Sequence, residues 1–240
     1  MVSVIIPSLN EELYIGELLE SLKNQTYKEF EIIVADGNSK DRTREIAESY
    51  GAIIIEGGTQ SIGRNNGFKK SRGDILLFLD ADISFSSNFL EKSIAEFNKR
   101  KLDLACAQFN LESEVLSQKV HNLATNTSFK IREKTPIAMA TGATLFFKRD
   151  VFEKLEGFKE ELRIAEDQEI VRRAKKLKFK FGVLNTKFKH SERRYVNNGL
   201  GKMLIGGFMG MLVVGSLGFI FKKVLSERSE KLYGKWGEWD

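Results

Sequence analysis

The sequence predicts an α/β domain in which helices cover both faces of an open, mostly parallel mixed sheet, followed by a C-terminal apolar helical segment. Three observations carry this. Short β-branched runs alternate with longer amphipathic ones through the first 110 residues, and turn residues bound each run. Hydrophobic residues make up 42% of the 240, enough for a packed core, which excludes a disordered or collagen-like chain.

Residues 2–6, 31–35, 52–55 and 75–79 are short, continuous apolar runs, the pattern of strands buried on both faces. Between the first two, residues 11–23 place Leu13, Ile15, Leu18, Leu19 and Leu22 on one helical face, and residues 42–50 offer a shorter helix. Ser86, Ser87 and Asn88 supply caps for a helix over 89–99. Beyond residue 109 the pattern predicts a helix over 114–131, a loop at Pro136, a strand over 144–148 and a helix near Val151. A helix over 166–177 and two short strands over 179–184 and 186–189 complete the domain. No linker rich in Gly, Pro or Ser precedes residue 197 and no repeat is present, so residues 1–199 read as one domain and 200–240 as a separate segment.

The chain has 38 Lys+Arg against 33 Asp+Glu, a net charge of +5, and the surplus is local. Residues 172–202 hold eleven Lys or Arg and one acid, Glu192. Residues 203–221 then form a run of nineteen without any charge, five of them glycine. At ~1.5 Å per residue a helix of that length spans about 28 Å, just enough for a ~30 Å hydrocarbon layer. The expectation is a membrane-associated segment, peripheral or single-span, with a helix packed in the core as the plainer alternative. Basic residues beside an anionic leaflet add ~1 kcal/mol each, which makes the preceding basic stretch intelligible. Gly206 and Gly210 are spaced for close helix contact and so for a homodimer. Aromatic and basic residues do not interleave as nucleic-acid binding would ask, so no nucleic-acid partner is expected. Met1 runs straight into residues 2–7 without a basic start or a small-residue cleavage site, pointing to the cytoplasmic side of the membrane. The single cysteine, Cys106, sits in an apolar run and reads as a small core residue.

In open α/β sheets ligands bind beyond the carboxyl ends of the strands. The strand at 75–79 ends in Asp80-Ala81-Asp82, two carboxylates that on extended chain share a side and can hold a hard divalent cation with the diphosphate it neutralises. A turn or helix cap is the plainer alternative. The second strand ends in Ala35-Asp36-Gly37-Asn38-Ser39, whose carboxylate can accept from the N–H edge of a base, although Asp-Gly is also a common turn. The first strand ends in Pro7-Ser8-Leu9-Asn10-Glu11, with no GxGxxG and no P-loop, which disfavours NAD enzymes and P-loop NTPases. The same loop lacks the glycine-rich start of a sugar-nucleotide pyrophosphorylase.

Taken in order, these segments resemble the family 2 glycosyltransferases of the GT-A fold. The residues that carry the resemblance are 4–11, 34–43, Gly63-Arg64-Asn65-Asn66-Gly67, Gly73-Asp74 leading to Asp80-Ala81-Asp82, 142–158 and Glu166-Asp167. The resemblance implies an inverting enzyme that uses a nucleotide-diphosphate sugar, with UDP or GDP as nucleotide and a sugar or lipid-linked acceptor. It implies that Pro7, Asn10 and Glu11 wall the nucleotide pocket, that Asp36 reads the base and that Arg64 lies near the base or diphosphate. Asp80 would face the ribose or metal, and Asp82 would bind Mg2+ or Mn2+. The stretch around Gly142 would line the donor sugar, and Asp167, beside Glu166, would be the general base. Acids in a first helical turn also favour the helix dipole, so Glu166 and Asp167 have a structural explanation as well. His190 is a candidate to complete the metal shell, and Arg193 and Arg194 are candidates to clamp the diphosphate. The rival from another class is a non-catalytic nucleotide-sugar-binding or scaffold protein of the same fold.

Overall fold

The computed structural model describes residues 1–110, 116–162 and 164–191, all within one unit, Met1–Ser191. The first half runs β1 (Val2–Ser8), α1 (Ile15–Lys23), β2 (Phe30–Asp36), α2 (Thr43–Ser49), β3 (Ile53–Glu56), α3 (Gln60–Lys70), β4 (Ile75–Leu79), β5 (Ile83–Phe85) and α4 (Phe89–Lys99). The second runs β6 (Leu104–Phe109), α5 (Leu116–Arg132), β7 (Thr144–Lys148), α6 (Arg149–Lys154), α7 (Glu166–Lys176) and β8 (Phe181–His190). The sheet order is β3-β2-β1-β4-β7-β6-β8-β5. Pairs β1–β2, β1–β4, β2–β3 and β6–β8 are parallel, whereas β7 against β4 and β6, and β5 against β8, are antiparallel. This is the predicted mixed, helix-covered sheet.

Strand alternation divides the core into two layers. Val4 and Ile6 of β1 pack with Leu18, Leu19 and Leu22 of α1 and Phe89 and Phe97 of α4. Ile5 packs on the other side with Phe78, Phe147, Phe152 of α6 and Ile170 and Val171 of α7. Each such side chain contributes about 1.5–3 kcal/mol on burial. Cys106 lies in this second layer, its thiol pushed up to about 12 by burial, as a core cysteine should be.

The structure departs from the sequence expectations at four places. Helix α1 starts at Ile15, not residue 11, because Asn10 adopts a left-handed φ of 52° and a tight turn follows, with Tyr14 N–H donating to the Glu11 carbonyl. Helix α3 has no apolar stripe; its buried positions include Ser61, Gly63, Arg64, Asn65 and Gly67. It lies directly on β1, where a Cβ on Gly67 would fall 2.2 Å from Ile5 Cγ2 and one on Gly63 3.1 Å from Pro7 Cβ. The chain turns at Ala81 and Asp82 instead of running on extended, crossing over to the short strand β5. Residues 181–190 form one strand, since Asn185, which looked like a break, is held by Glu96 through its backbone and its side-chain amide.

Candidate active site

The carboxyl ends of β1, β2 and β4 carry some of the residues that the sequence singles out, α3, α7, β8 and the stretch before β7 carry others, and the described ones fall into three groups. In the first, Asp36 ends β2 opposite Ser8 of β1. Its Oδ1 accepts from the backbone of Asn38 at 3.1 Å and Ser39 at 3.0 Å, and its Oδ2 accepts from the Ser39 hydroxyl at 2.5 Å. Asn10 reaches across from the β1 loop: its N–H donates to Ser39 Oγ at 2.9 Å, and its Oδ1 accepts from Lys40 N at 2.8 Å. The Glu11 N–H donates to Thr43 Oγ1 at 2.7 Å. The two loops are thereby clasped into one wall, with Pro7 buried at its base against Ala35.

The second group centres on Arg64, whose side chain is 1% exposed. Its Nη1 donates to Glu166 Oε1 at 2.6 Å, and its Nη2 donates to Asp80 Oδ1 at 3.0 Å and to the Gly142 carbonyl at 3.2 Å. The guanidinium also stands 5.2 Å from the centre of the Phe158 ring, a contact worth up to about 2 kcal/mol in a desolvated place. A buried arginine flanked by two carboxylates stays protonated, and one flanked by none would be prohibitively costly. Asp167 completes this group from the first turn of α7. Its Oδ1 accepts from the Gln168 N–H at 2.7 Å. Burial, then the charge of Glu166, push the Asp167 carboxyl up to about 7 against the opposing pull of Arg64, although the residue keeps a partly exposed edge. That places its proton in the range where a general base works.

The third group is Asp82 with His190, whose Nδ1 lies 3.6 Å from Asp82 Oδ1. The Ser191 N–H donates to the Asp82 carbonyl at 2.8 Å, tying the end of β8 to this turn, and the imidazole packs against the rings of Phe109 and Phe188. Asp80 and Asp82 are both nearly buried at the same strand end. Among the described residues no three His, Cys, Asp or Glu groups already stand in a metal-holding cluster. Two carboxylates nevertheless fit a hard divalent cation that takes its remaining ligands from diphosphate and water. Arg193 and Arg194 lie outside the described residues.

Two residues carry weight that the sequence did not reveal. Gln168 pins the backbone before Gly142, its Nε2 donating to the Ala140 carbonyl at 2.5 Å. Asn65 clasps the backbone of Phe158 in both directions, at 2.9 and 2.8 Å. Asn65 stands inside the Gly63–Gly67 motif, and Gln168 directly follows the two acids; position in the chain is the one signal available.

A family profile described as glycosyl transferase family 2 matches residues 3–156. The chain belongs to glycosyl transferase family 2. The uncharacterised glycosyltransferase EpsJ of Bacillus subtilis (strain 168) is 30% identical over 184 residues, 70% of this chain and 54% of that protein. Glycosyltransferase AglE of Haloferax volcanii is 31% identical over 185 residues, 72% of this chain and 60% of its own length. The chain thus spans between half and two thirds of these curated relatives. Among solved structures, S. aureus TarS 1–349 in complex with UDP-GlcNAc superposes with a TM-score of 0.61 at 24% identity, over 79% of this chain and 58% of that one. The mannosyltransferase PcManGT from Pyrobaculum calidifontis, in complex with GDP-Man and Mn2+, gives a TM-score of 0.65 at 19% identity, over 95% and 69%. These likenesses show the GT-A fold of the family. The described residues contain no helix long and apolar enough to cross a membrane. The apolar run 203–221, with Gly206 and Gly210, lies outside the described residues.

Proposed function

We propose that this family 2 glycosyltransferase is an inverting, metal-dependent enzyme that transfers a sugar from a UDP- or GDP-linked donor to a hydroxyl or phosphate acceptor, a lipid-linked one. The observation that carries the reading is Asp167, a carboxyl pushed up to about 7 and grouped through Arg64 with Asp80 at the strand end. Direct displacement at an anomeric carbon needs a base for the acceptor proton and charge compensation for the departing diphosphate. Asp167 takes the proton as the acceptor oxygen bonds to the anomeric carbon and the bond to the diphosphate breaks. Asp80 and Asp82, with His190 beside the latter, would hold Mg2+ or Mn2+, which when bound neutralises the diphosphate. The wall made by Pro7, Asn10, Glu11 and Asp36 receives the nucleoside, and Gly142 leaves room for the sugar. Structural neighbours that bind UDP-GlcNAc, and GDP-Man with Mn2+, support both nucleotides as candidates. Relatives named for minor teichoic acid biosynthesis and as a poly(ribitol-phosphate) beta-N-acetylglucosaminyltransferase support an acceptor carried on a polymer.

The same reading holds the enzyme at the cytoplasmic membrane face through residues 200–240, with Arg193 and Arg194 near the diphosphate and Gly206/Gly210 as a dimer contact. A panel of UDP- and GDP-sugars with Mn2+ or Mg2+ tests the activity. Asp167→Asn should stop transfer while leaving donor binding nearly intact, and joint loss of both would overturn the base assignment. Deleting 200–240 should release the protein from the membrane fraction.

A further inference from the structure

Residues 158–162 and the first turn of α7, which carries the base, take part of their positioning from outside their own segment. Helix α3 supplies it. Ser61 Oγ donates to the Leu162 carbonyl at 3.2 Å, Asn65 Nδ2 donates to the Phe158 carbonyl at 2.8 Å and to Glu160 Oε1 at 2.9 Å, and Arg64 reaches Glu166 at 2.6 Å. The same guanidinium grips Asp80, at the end of β4, through its other terminal nitrogen, and the Gly142 carbonyl at the start of the donor-sugar stretch. Three segments that must meet at one reacting carbon are thus measured against a single planar, five-donor group. With its side chain 1% exposed, Arg64 sits behind the carboxylates it holds.

We propose that Arg64 is a positioning residue, fixing the distance between the donor-side carboxylate Asp80 and the base Asp167, with Glu166 serving as its buried counter-charge and not as a second base. The resemblance that set Arg64 among the donor ligands, and Glu166 beside Asp167 as a catalytic group, gives way here to a division of labour. Glu166 is held at 2.6 Å by a charge it cannot leave without stranding a buried ion. Asp167 instead accepts from the neutral Gln168, at Oδ1 from its backbone N–H and at Oδ2 from its side-chain amide, and among the described residues it has no charged hydrogen-bond partner. A lysine cannot reproduce the arrangement, because one ammonium does not span two carboxylates in a fixed fork. Loss of the bridge should therefore act on the chemical step, since a base displaced by as little as 1 Å can lose about a hundredfold in rate.

This inference rests on the transferase reading, and its test separates the two. Full-length wild type, Arg64→Met, Arg64→Lys, Glu166→Gln and Arg64→Met/Glu166→Gln are assayed for Mn2+-dependent turnover of UDP-GlcNAc and GDP-Man. Donor affinity is measured by calorimetry and stability by thermal melting. The expected result is a loss of about 100-fold in kcat for Arg64→Met with donor Kd within threefold of wild type, and partial recovery in Arg64→Lys. Arg64→Met should melt lower, and adding Glu166→Gln should restore the melting temperature without restoring kcat. If kcat survives in Arg64→Met, or returns together with stability in the double variant, Arg64 has no positioning role. A wild type that turns over neither donor counts against the transferase reading for those donors, and the melting cycle still decides the bridge: additive effects of Arg64→Met and Glu166→Gln would overturn it.

Discussion

Gly142 and Asp167 face each other with no room for a side chain between them: a Cβ on Gly142 would stand 3.2 Å from Asp167 Oδ2 and 3.3 Å from Arg64 Nη2. Both neighbours are held by hydrogen bonds and must give by a few tenths of an ångström to admit a methyl group. Gly142→Ala should therefore leave the fold nearly as stable as wild type while lowering kcat by about 10- to 100-fold, because it disturbs the base directly. Steady-state kinetics set beside a thermal melt check this; unchanged kcat would show that the close approach has no catalytic use.

The raised Asp167 carboxyl gives two pH effects of opposite practical sign. As a base it works when deprotonated, so kcat should climb with pH and level off above about 7. For stability, the folded protein keeps a proton between about 4, where an unfolded aspartate releases it, and about 7. Folding therefore loses stability as pH rises through that window. Asp167→Asn has no proton to lose, so its stability relative to wild type should increase from pH 4 to pH 8. Melting curves of the two proteins across that range measure the difference, and a flat difference would deny the shift.

How much of this was legible in the sequence follows from where each signal resides. The strands at 75–79 and 144–148 and the helix at 89–99 fall where the apolar pattern puts them, because each buries a continuous or periodic apolar face. Helix α3 was not legible, since it buries Ser61, Gly63, Arg64, Asn65 and Gly67 against β1 and so has no apolar period to read. Strand β5 has three residues, and its partner on β8 lies a hundred residues away in the chain. The strand-end acids Asp36, Asp80 and Asp82 could be found because topology alone makes strand ends functional. The role of Arg64 could not, because its partner Glu166 is 102 residues distant and only folding brings them together.

Asp82 is the carboxylate best placed to show metal dependence. It pairs with His190 at 3.6 Å and its backbone is fixed by Ser191, so Asp82→Asn should keep the turn while removing a negative charge. Donor binding in Mn2+ should weaken by at least about tenfold, and removing the metal with a chelator should then make no further difference. Calorimetric titration of wild type and variant, with and without metal, compares the two directly. Equal metal response in both would remove Asp82 from the metal site.

The residue that launches α7 offers a prediction about stability without loss of function. Ala165 is its N-cap and adopts φ 61° and ψ 26°, a left-handed conformation that costs an alanine about 1–2 kcal/mol. The residue itself is exposed. Glycine adopts the conformation freely, at a cost of about 0.5–1 kcal/mol in extra freedom of the unfolded chain. Ala165→Gly should therefore gain about 0.5–1 kcal/mol, raising the melting temperature by roughly 1–4 °C for a protein of this size, with kcat unchanged because Glu166 and Asp167 keep their places. Ala165→Val should do the reverse, since a β-branched residue resists the left-handed region more strongly. It would either melt lower or shift the start of α7, and in the second case kcat falls with it. If glycine and valine at position 165 melt alike, the helix start is not under strain.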